Sequence, residues 1–362
     1  MNVLILTGKF GLGHCKAAAA VKEQLEGDER VNNIEIVDIM EYLTPHMSQS
    51  IYKGFAKLVS GRADLYNVIC KTTGKYTAAP FKKMFTRNMH KLLTLHNADI
   101  VVSTLPMCSQ YIGAYKEHSG DKIPLITYIT DISSNSEWIA NSTDLYVVAT
   151  EEVKNGLIEK GINPDKIRVG GIPVRAAFLK SQEHGRIEEK MSTKNSEVLI
   201  MGGGLGLIPN AEELLAALDN EQSLDTTIIT GTNEKLYNSL SKKYKNINVV
   251  GYTERVDEYM KKADVLVTKP GGITMFEAIN SGTPIFAIKP FLEQEVNNAA
   301  FIESHKIGEI QWNDKENTLD KLKNLLASKE RLSVMAMNMW KLRRQQDHSP
   351  VLNNVSLEAV AC

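Results

Sequence analysis

A short apolar run that passes through a glycine-rich turn into a helix-forming stretch occurs twice in this chain. No other feature narrows the fold as much. Val3–Leu6 leads into Gly8–Gly13 and the run "KAAAA"; Val198–Met201 leads into "GGGLGLIPN" and the helical pattern Ala211–Leu218. A buried strand, a glycine turn and a helix together open a parallel βαβ unit. Ile34–Val37, Ile100–Ser103, Leu125–Ile129 and Leu145–Ala149 read as further strands of the first half, with helices at Lys16–Leu25 and Glu151–Lys160. Thr227–Thr230, Asn248–Val250, Val265–Thr268 and Ile285–Ile288 do the same for the second half. Between the halves, "KSQEHGRIEEKMSTKNSE", Lys180 to Glu197, carries almost no apolar residue and reads as a linker. The expected architecture is α/β, with two Rossmann-like domains over residues 1–180 and 181–340. The stretch Ser328–Arg344 is helical in pattern, and residues 341–362 are expected to form a C-terminal helix able to cross back to the first domain.

Charge excludes one class of function. The 42 basic and 43 acidic residues leave a net charge of -1, so nothing in the bulk charge suits a nucleic-acid partner. The 4 cysteines, at positions 15, 70, 108 and 362, have no C-x-x-C spacing, which predicts neither a zinc site nor a disulfide framework. The N-terminus reads as a strand rather than a leader, and no apolar run approaches the roughly 20 residues that span a bilayer. A cytoplasmic protein is expected. The charge is uneven, however: residues 44–96 hold 9 Lys and Arg against the single acid Asp64, interleaved with Tyr52, Phe55, Tyr66, Tyr76, Phe81 and Phe85. A basic, aromatic segment suits an anionic membrane surface.

Neither glycine turn is a known fingerprint. "GKFGLG" and "GGGLG" both lack the Lys-Ser/Thr ending of a P-loop, and neither gives G-x-G-x-x-G in a complete dinucleotide context. The densest chemistry lies in "VTKPGGITMFEAINSGTPIFAIKPFLEQEVNNAAF", Val267 to Phe301. Pro270, Gly271 and Gly272 end a strand and open a helix, so the free amides of Gly272, Ile273 and Thr274 suit a pyrophosphate. Glu277 follows about one turn later, where a carboxylate can accept both hydroxyls of a ribose. "EQEVNN" reads as a loop that offers Gln294, Glu295 and Asn298 to sugar hydroxyls.

Several stretches, in order, resemble the GT-B glycosyltransferases of the group holding the monogalactosyldiacylglycerol synthases, the processive diacylglycerol glucosyltransferases and the lipid-II-forming peptidoglycan transferase. They are "GLGHCKAAAA", "YITDISSNSEWI", "VATEEVKNGLIEKGINPDKIRVGGIPVRAAF", "ITGTNEKL" and "VVGYTERVDEYMKKADVLVTKPGG". The resemblance implies a GT-B fold with two domains facing a central cleft, and an inverting, metal-independent transfer of a hexose from a UDP-sugar. It places the ribose at Glu277, the diphosphate at Gly272, Ile273 and Thr274 beside Gly271, the donor sugar at Gln294 and Glu295, and the uracil near Tyr252. Gly13, Gly204 and Gly231 are glycines whose backbone would approach substrate. No Asp-x-Asp occurs in the chain, which agrees with a metal-independent transfer; no cofactor is expected. Two positions depart from the group: Asn135 stands where His is common, and Glu293 where the diacylglycerol branch often has Gly.

The acceptor hydroxyl must lose a proton as it attacks. His14 stands at a helix start, whose positive end favours the neutral imidazole a base requires, and Asp131 is the competing candidate. The expected partners are a UDP-sugar, a lipid acceptor such as diacylglycerol or its glycosylated form, and, through residues 44–96, an anionic membrane to which the protein attaches peripherally. A polyprenyl-linked or soluble acceptor, or a UDP-sugar-binding protein without turnover, are the alternatives. The donor sugar is open among glucose, galactose and N-acetylglucosamine.

Overall fold

The computed structural model describes residues 1–61, 82–180, 195–202, 211–313 and 317–355. The expected linker over residues 181–194, the loop holding Gly204 and the middle of the basic segment, residues 62–81, lie outside the described residues. The chain divides into two compact units. One comprises Met1–Ala176 together with Gln346–Cys362, the other Ala177–Gln345.

The described residues of the first unit form a six-stranded parallel sheet from β1 (Asn2–Thr7), β2 (Asn33–Asp38), β3 (Ile100–Ser103), β4 (Leu125–Tyr128), β5 (Leu145–Val148) and β6 (Ile167–Val169), in the order β2-β1-β3-β4-β5-β6. Its central strands β1, β3, β4 and β5 are largely apolar runs buried on both faces. Along β1, Val3 and Ile5 pack into the core beneath the helix Gly13–Leu25, while Leu4 and Leu6 pack with Leu92 and Ile112 on the other side. The alternation is the two-residue period of a strand. The order reverses between β1 and β3, and this switch point is where open α/β sheets leave a crevice beyond the strands' carboxyl ends.

The second unit repeats the plan in β7 (Ser196–Met201), β8 (Leu224–Ile229), β9 (Asn248–Val250), β10 (Val265–Thr268), β11 (Ile285–Ala287) and β12 (Gly308–Ile310). The order is β12-β11-β10-β7-β8-β9, all parallel, with the switch point between β7 and β10. There the Thr268 hydroxyl donates to the Met201 carbonyl at 2.7 Å, joining the ends of the two central strands.

Two edge strands, β6 and β12, are absent from the sequence reading for physical reasons. Each is three residues long, and β6 carries a charge at its centre. Arg168 is buried there: its guanidinium meets the Asp347 carboxylate at 3.0 Å and donates to Asn354 Oδ1 at 3.0 Å and to the carbonyls of Asp347 and Ser349. β12 begins with Gly308, where a Cβ would stand 2.1 Å from the Ile285 carbonyl oxygen.

The C-terminal segment differs from the expected crossing helix. The helix Lys329–Arg344 belongs to the second unit, and the chain returns to the first only from Gln346 onward. That return is a short 3₁₀ turn, Val351–Asn354, whose Val351 and Leu352 fill the first sheet's core beside Val3 and Ile5. Pro350, the N-cap of that turn, lacks an amide hydrogen and stops a helix from running through it.

Candidate active site

Each switch point carries a constellation of its own. In the first unit, β1 runs through Gly8–Leu12 into the helix Gly13–Leu25. The N-cap of that helix, Leu12, offers no side-chain hydrogen bond, and its first turn has no acidic residue. Gly13 is the first helical residue and His14 the second. His14 Nδ1 lies 2.8 Å from the carbonyl oxygen of Thr104, which follows β3 across the switch point. A carbonyl only accepts, so Nδ1 carries the hydrogen and Nε2 the lone pair. The Thr130 hydroxyl sits 3.0 Å from the same nitrogen. The Thr104 hydroxyl donates to the His14 carbonyl at 3.1 Å, so Thr104 holds both the ring and the backbone. Burial pushes the imidazole below its ordinary pKa; the charge of Asp131 and the Thr104 bond oppose this and lose. The result is a neutral histidine of fixed tautomer with Nε2 as its basic atom.

Asp131 plays a different part. Its Oδ2 accepts from Trp138 Nε1 at 3.2 Å, and the fully buried Trp138 ring stands 6.2 Å from the His14 ring. One carboxylate oxygen is therefore tied to the scaffold, and its charge supports His14. Glu137, which sequence reasoning missed, lies close enough that burial and the charge of Asp131 push its carboxyl pKa up.

In the second unit, the Pro270–Gly272 turn after β10 opens the helix Gly272–Ser281. Gly271 is its N-cap, no side chain caps it, and its first turn is free of acids. A Cβ built on Gly271 would meet nothing within 4 Å, so the face of this turn is open. Ile273, Thr274 and Glu277 are buried, Glu277 at 5% exposure. Lys269, a cation directly before the turn, is a further candidate for an anion; its place ahead of Pro-Gly-Gly is the signal that could have found it.

The segment "EQEVNN" is not the expected loop. It is the start of the helix Glu293–Ser304. Glu295 is the third residue of that helix: its Oε2 accepts from the amides of Phe291 and Leu292 at 3.1 and 3.3 Å, and its Oε1 pairs with Lys269 at 3.2 Å. Asn298 is buried and donates to the Pro270 carbonyl at 3.0 Å. Both help to frame the Pro270–Gly272 turn, Glu295 through Lys269 and Asn298 through the Pro270 carbonyl. Gln294 is exposed at the same helix start. Gly231, with φ +61°, follows β8, and Tyr252, 69% exposed, follows β9, so both stand at carboxyl ends of strands.

Residues 14–174 match the family described as monogalactosyldiacylglycerol (MGDG) synthase, and residues 198–349 match the glycosyltransferase family 28 C-terminal domain. A processive diacylglycerol beta-glucosyltransferase of Bacillus pumilus is 31% identical over 370 residues, covering 98% of this chain and 94% of the relative. The chain belongs to this glycosyltransferase family. The enzyme of the same description from Bacillus subtilis is 31% identical, with 99% of this chain and 95% of the relative covered. Among solved structures, MurG of Acinetobacter baumannii superposes with a TM-score of 0.61 at 18% identity, covering 97% of each chain. The spinosyn rhamnosyltransferase SpnG, complexed with spinosyn aglycone, gives 0.63 at 11% identity, over 98% of this chain and 99% of that one. These likenesses carry the fold, which is the GT-B fold of two Rossmann-like domains.

Proposed function

We propose that this glycosyltransferase moves a hexose from a UDP-sugar to the hydroxyl of diacylglycerol, or of a glycosyl-diacylglycerol, with inversion and without a metal. The fixed tautomer of His14 carries the reading. Nε2 takes the proton of the acceptor hydroxyl as its oxygen bonds to the anomeric carbon. The bond from that carbon to the diphosphate breaks on the opposite side, and UDP leaves as an anion. Uncapped amides of Gly272, Ile273 and Thr274, with Lys269 beside them, suit the developing charge. Glu277 is the ribose ligand and Tyr252 lies toward the uracil. The names of the relatives in Bacillus support diacylglycerol as acceptor and glucose as donor.

The membrane reading rests on the described part of the basic segment. The helix Ser48–Gly61 turns Ile51, Tyr52, Phe55 and Leu58 inward and leaves Lys53 and Lys57 exposed, with Met47 exposed just before it. Lysines attract anionic headgroups at about 1 kcal/mol each. Peripheral attachment at the cytoplasmic face follows; no described helix is long and apolar enough to cross a membrane. The test presents UDP-glucose, UDP-galactose and UDP-N-acetylglucosamine with diacylglycerol in anionic and in zwitterionic vesicles, in the presence of EDTA. A β-linked glycolipid, formed faster on anionic vesicles, is expected by mass spectrometry and NMR. No glycolipid from any donor would refute the acceptor, and a requirement for a divalent ion would refute the metal-independent step.

A further inference from the structure

The loop that leads to His14 is gripped by a residue from outside the site. Tyr52, on the helix Ser48–Gly61, meets Lys9 and Phe10 of this loop and fills the space over Gly8. A Cβ on Gly8 would stand 3.3 Å from its hydroxyl, the Lys9 amide hydrogen-bonds that oxygen, and the Phe10 ring meets the Tyr52 ring edge-on with centroids 5.0 Å apart. Phe55, about one turn along the same helix, also meets the Phe10 ring edge-on, with centroids 5.2 Å apart.

Tyr52 is itself anchored. Its hydroxyl donates to Asp38 Oδ1 at 2.5 Å. That oxygen also accepts from the Met40 and Glu41 amides at 3.0 and 3.1 Å. Asp38 ends β2 and is the register partner of Thr7, the last residue of β1. Its side chain is only 8% exposed, with Lys9 Nζ 3.9 Å from Oδ2, and Lys9 bonds Glu41 at 2.5 Å. The sheet, the Asp38 cap and the Tyr52 ring thus clamp residues 8–10. The far end of the loop is tied to the same point, because the Cys15 thiol donates to the Gly8 carbonyl at 3.5 Å. His14 is the residue between Cys15 and the uncapped helix start.

We propose that Tyr52 is a positioning residue for His14, and that through it the seating of the helix Ser48–Gly61 controls where Nε2 points. The sequence motifs leave this tyrosine unassigned; it is simply one of the aromatics of the basic segment. The role in turnover rests on the reading of His14 as the base, whereas the clamp on the loop does not.

Tyr52→Phe keeps the ring contacts with Phe10 and deletes the hydroxyl that joins Lys9 and Asp38. Tyr52→Ala removes both. Two readouts are needed: steady-state kcat and donor KM on diacylglycerol vesicles, and the rate at which diethyl pyrocarbonate modifies His14, followed by peptide mass spectrometry. For Tyr52→Phe, kcat should fall about tenfold with donor KM within twofold of wild type, since small displacements of a reacting group cost rate rather than binding. His14 should be modified several times faster. Tyr52→Ala should exaggerate both effects; if it does not fold, Tyr52→Phe alone decides. Unchanged modification of His14, whether kcat falls or not, would overturn the clamp. Faster modification with wild-type kcat would uphold the clamp and remove His14 from the chemistry.

Discussion

Replacing His14 by alanine separates catalysis from donor binding more cleanly than any other single change. A positioned general base contributes about 10²–10⁴ in rate, equivalent to about 2.7–5.4 kcal/mol of transition-state stabilisation. The structure argues for the upper part of that range. The tautomer is fixed by the Thr104 carbonyl at 2.8 Å, and the neutral form is held by burial. His14→Ala should therefore lower kcat by about 10³ or more, while UDP affinity, measured by calorimetry, stays within about twofold because the residues proposed to hold the nucleotide belong to the other unit. Wild-type activity should also fall on acidification, below the ordinary histidine range near 6.5, as Nε2 is protonated. Stability follows the same sign. A histidine whose folded pKa is depressed binds its proton more readily when unfolded, so its contribution to stability is lost as pH falls below 6.5 and levels off beneath the folded value. The Tm of His14→Ala should fall less steeply across that window than that of the wild type. Turnover by His14→Ala within tenfold of wild type, or a wild-type acid limb surviving in it, would refute His14 as the base and return the role to Asp131.

Three further outcomes follow from particular contacts. Gly271→Ala places a methyl group in open space at φ -91°, so Tm should hardly move, while UDP affinity should fall about tenfold or more if the diphosphate backs onto that turn; calorimetry and thermal melts read the two separately. Glu295→Ala removes the helix cap and the partner of Lys269, and denaturant unfolding should show a loss of about 1–2 kcal/mol, whereas Gln294→Ala, at an exposed position, should leave stability within about 0.5 kcal/mol of wild type. Arg168→Ala strips four partners from the C-terminal return and leaves a cavity beneath it; a loss of about 3–5 kcal/mol is expected by the same assay, with residues 346–355 becoming the first to exchange amide hydrogens.

Much of the plan was legible because parallel strands buried on both faces are written as unbroken apolar runs. Val3–Leu6 and Val265–Thr268 could hardly be anything else. β6 and β12 were illegible because a charge sits inside one and a glycine opens the other, and each feature has its reason only in three dimensions: Arg168 faces a segment some 180 residues later in the chain, and Gly308 faces the Ile285 carbonyl. At the site, types and spacing predicted His14 and the Pro270–Gly272 turn. They read a loop where Glu295 and Asn298 stand on a helix, since a carboxylate and an amide in a row of polar residues look the same whether they lie in a loop or start a helix. The choice is made by the amides of Phe291 and Leu292 and the carbonyl of Pro270, backbone groups that no side-chain pattern reports.

The two switch points differ in the one respect that the proposed chemistry uses. Both present a glycine turn and an uncapped helix start at the carboxyl edge of a parallel sheet. In the second unit the first residues of the helix are Gly272, Ile273 and Thr274, with Lys269 just ahead, so the positive end of the helix is left to an anion. In the first unit an imidazole occupies the second helical position, and Thr104 takes its Nδ1–H from across the reversal in strand order. The same positive end that would attract a phosphate now disfavours a proton on His14, adding to the effect of burial. On the proposed reading, a histidine in place of an empty turn converts a helix start suited to an anion into the setting for a base.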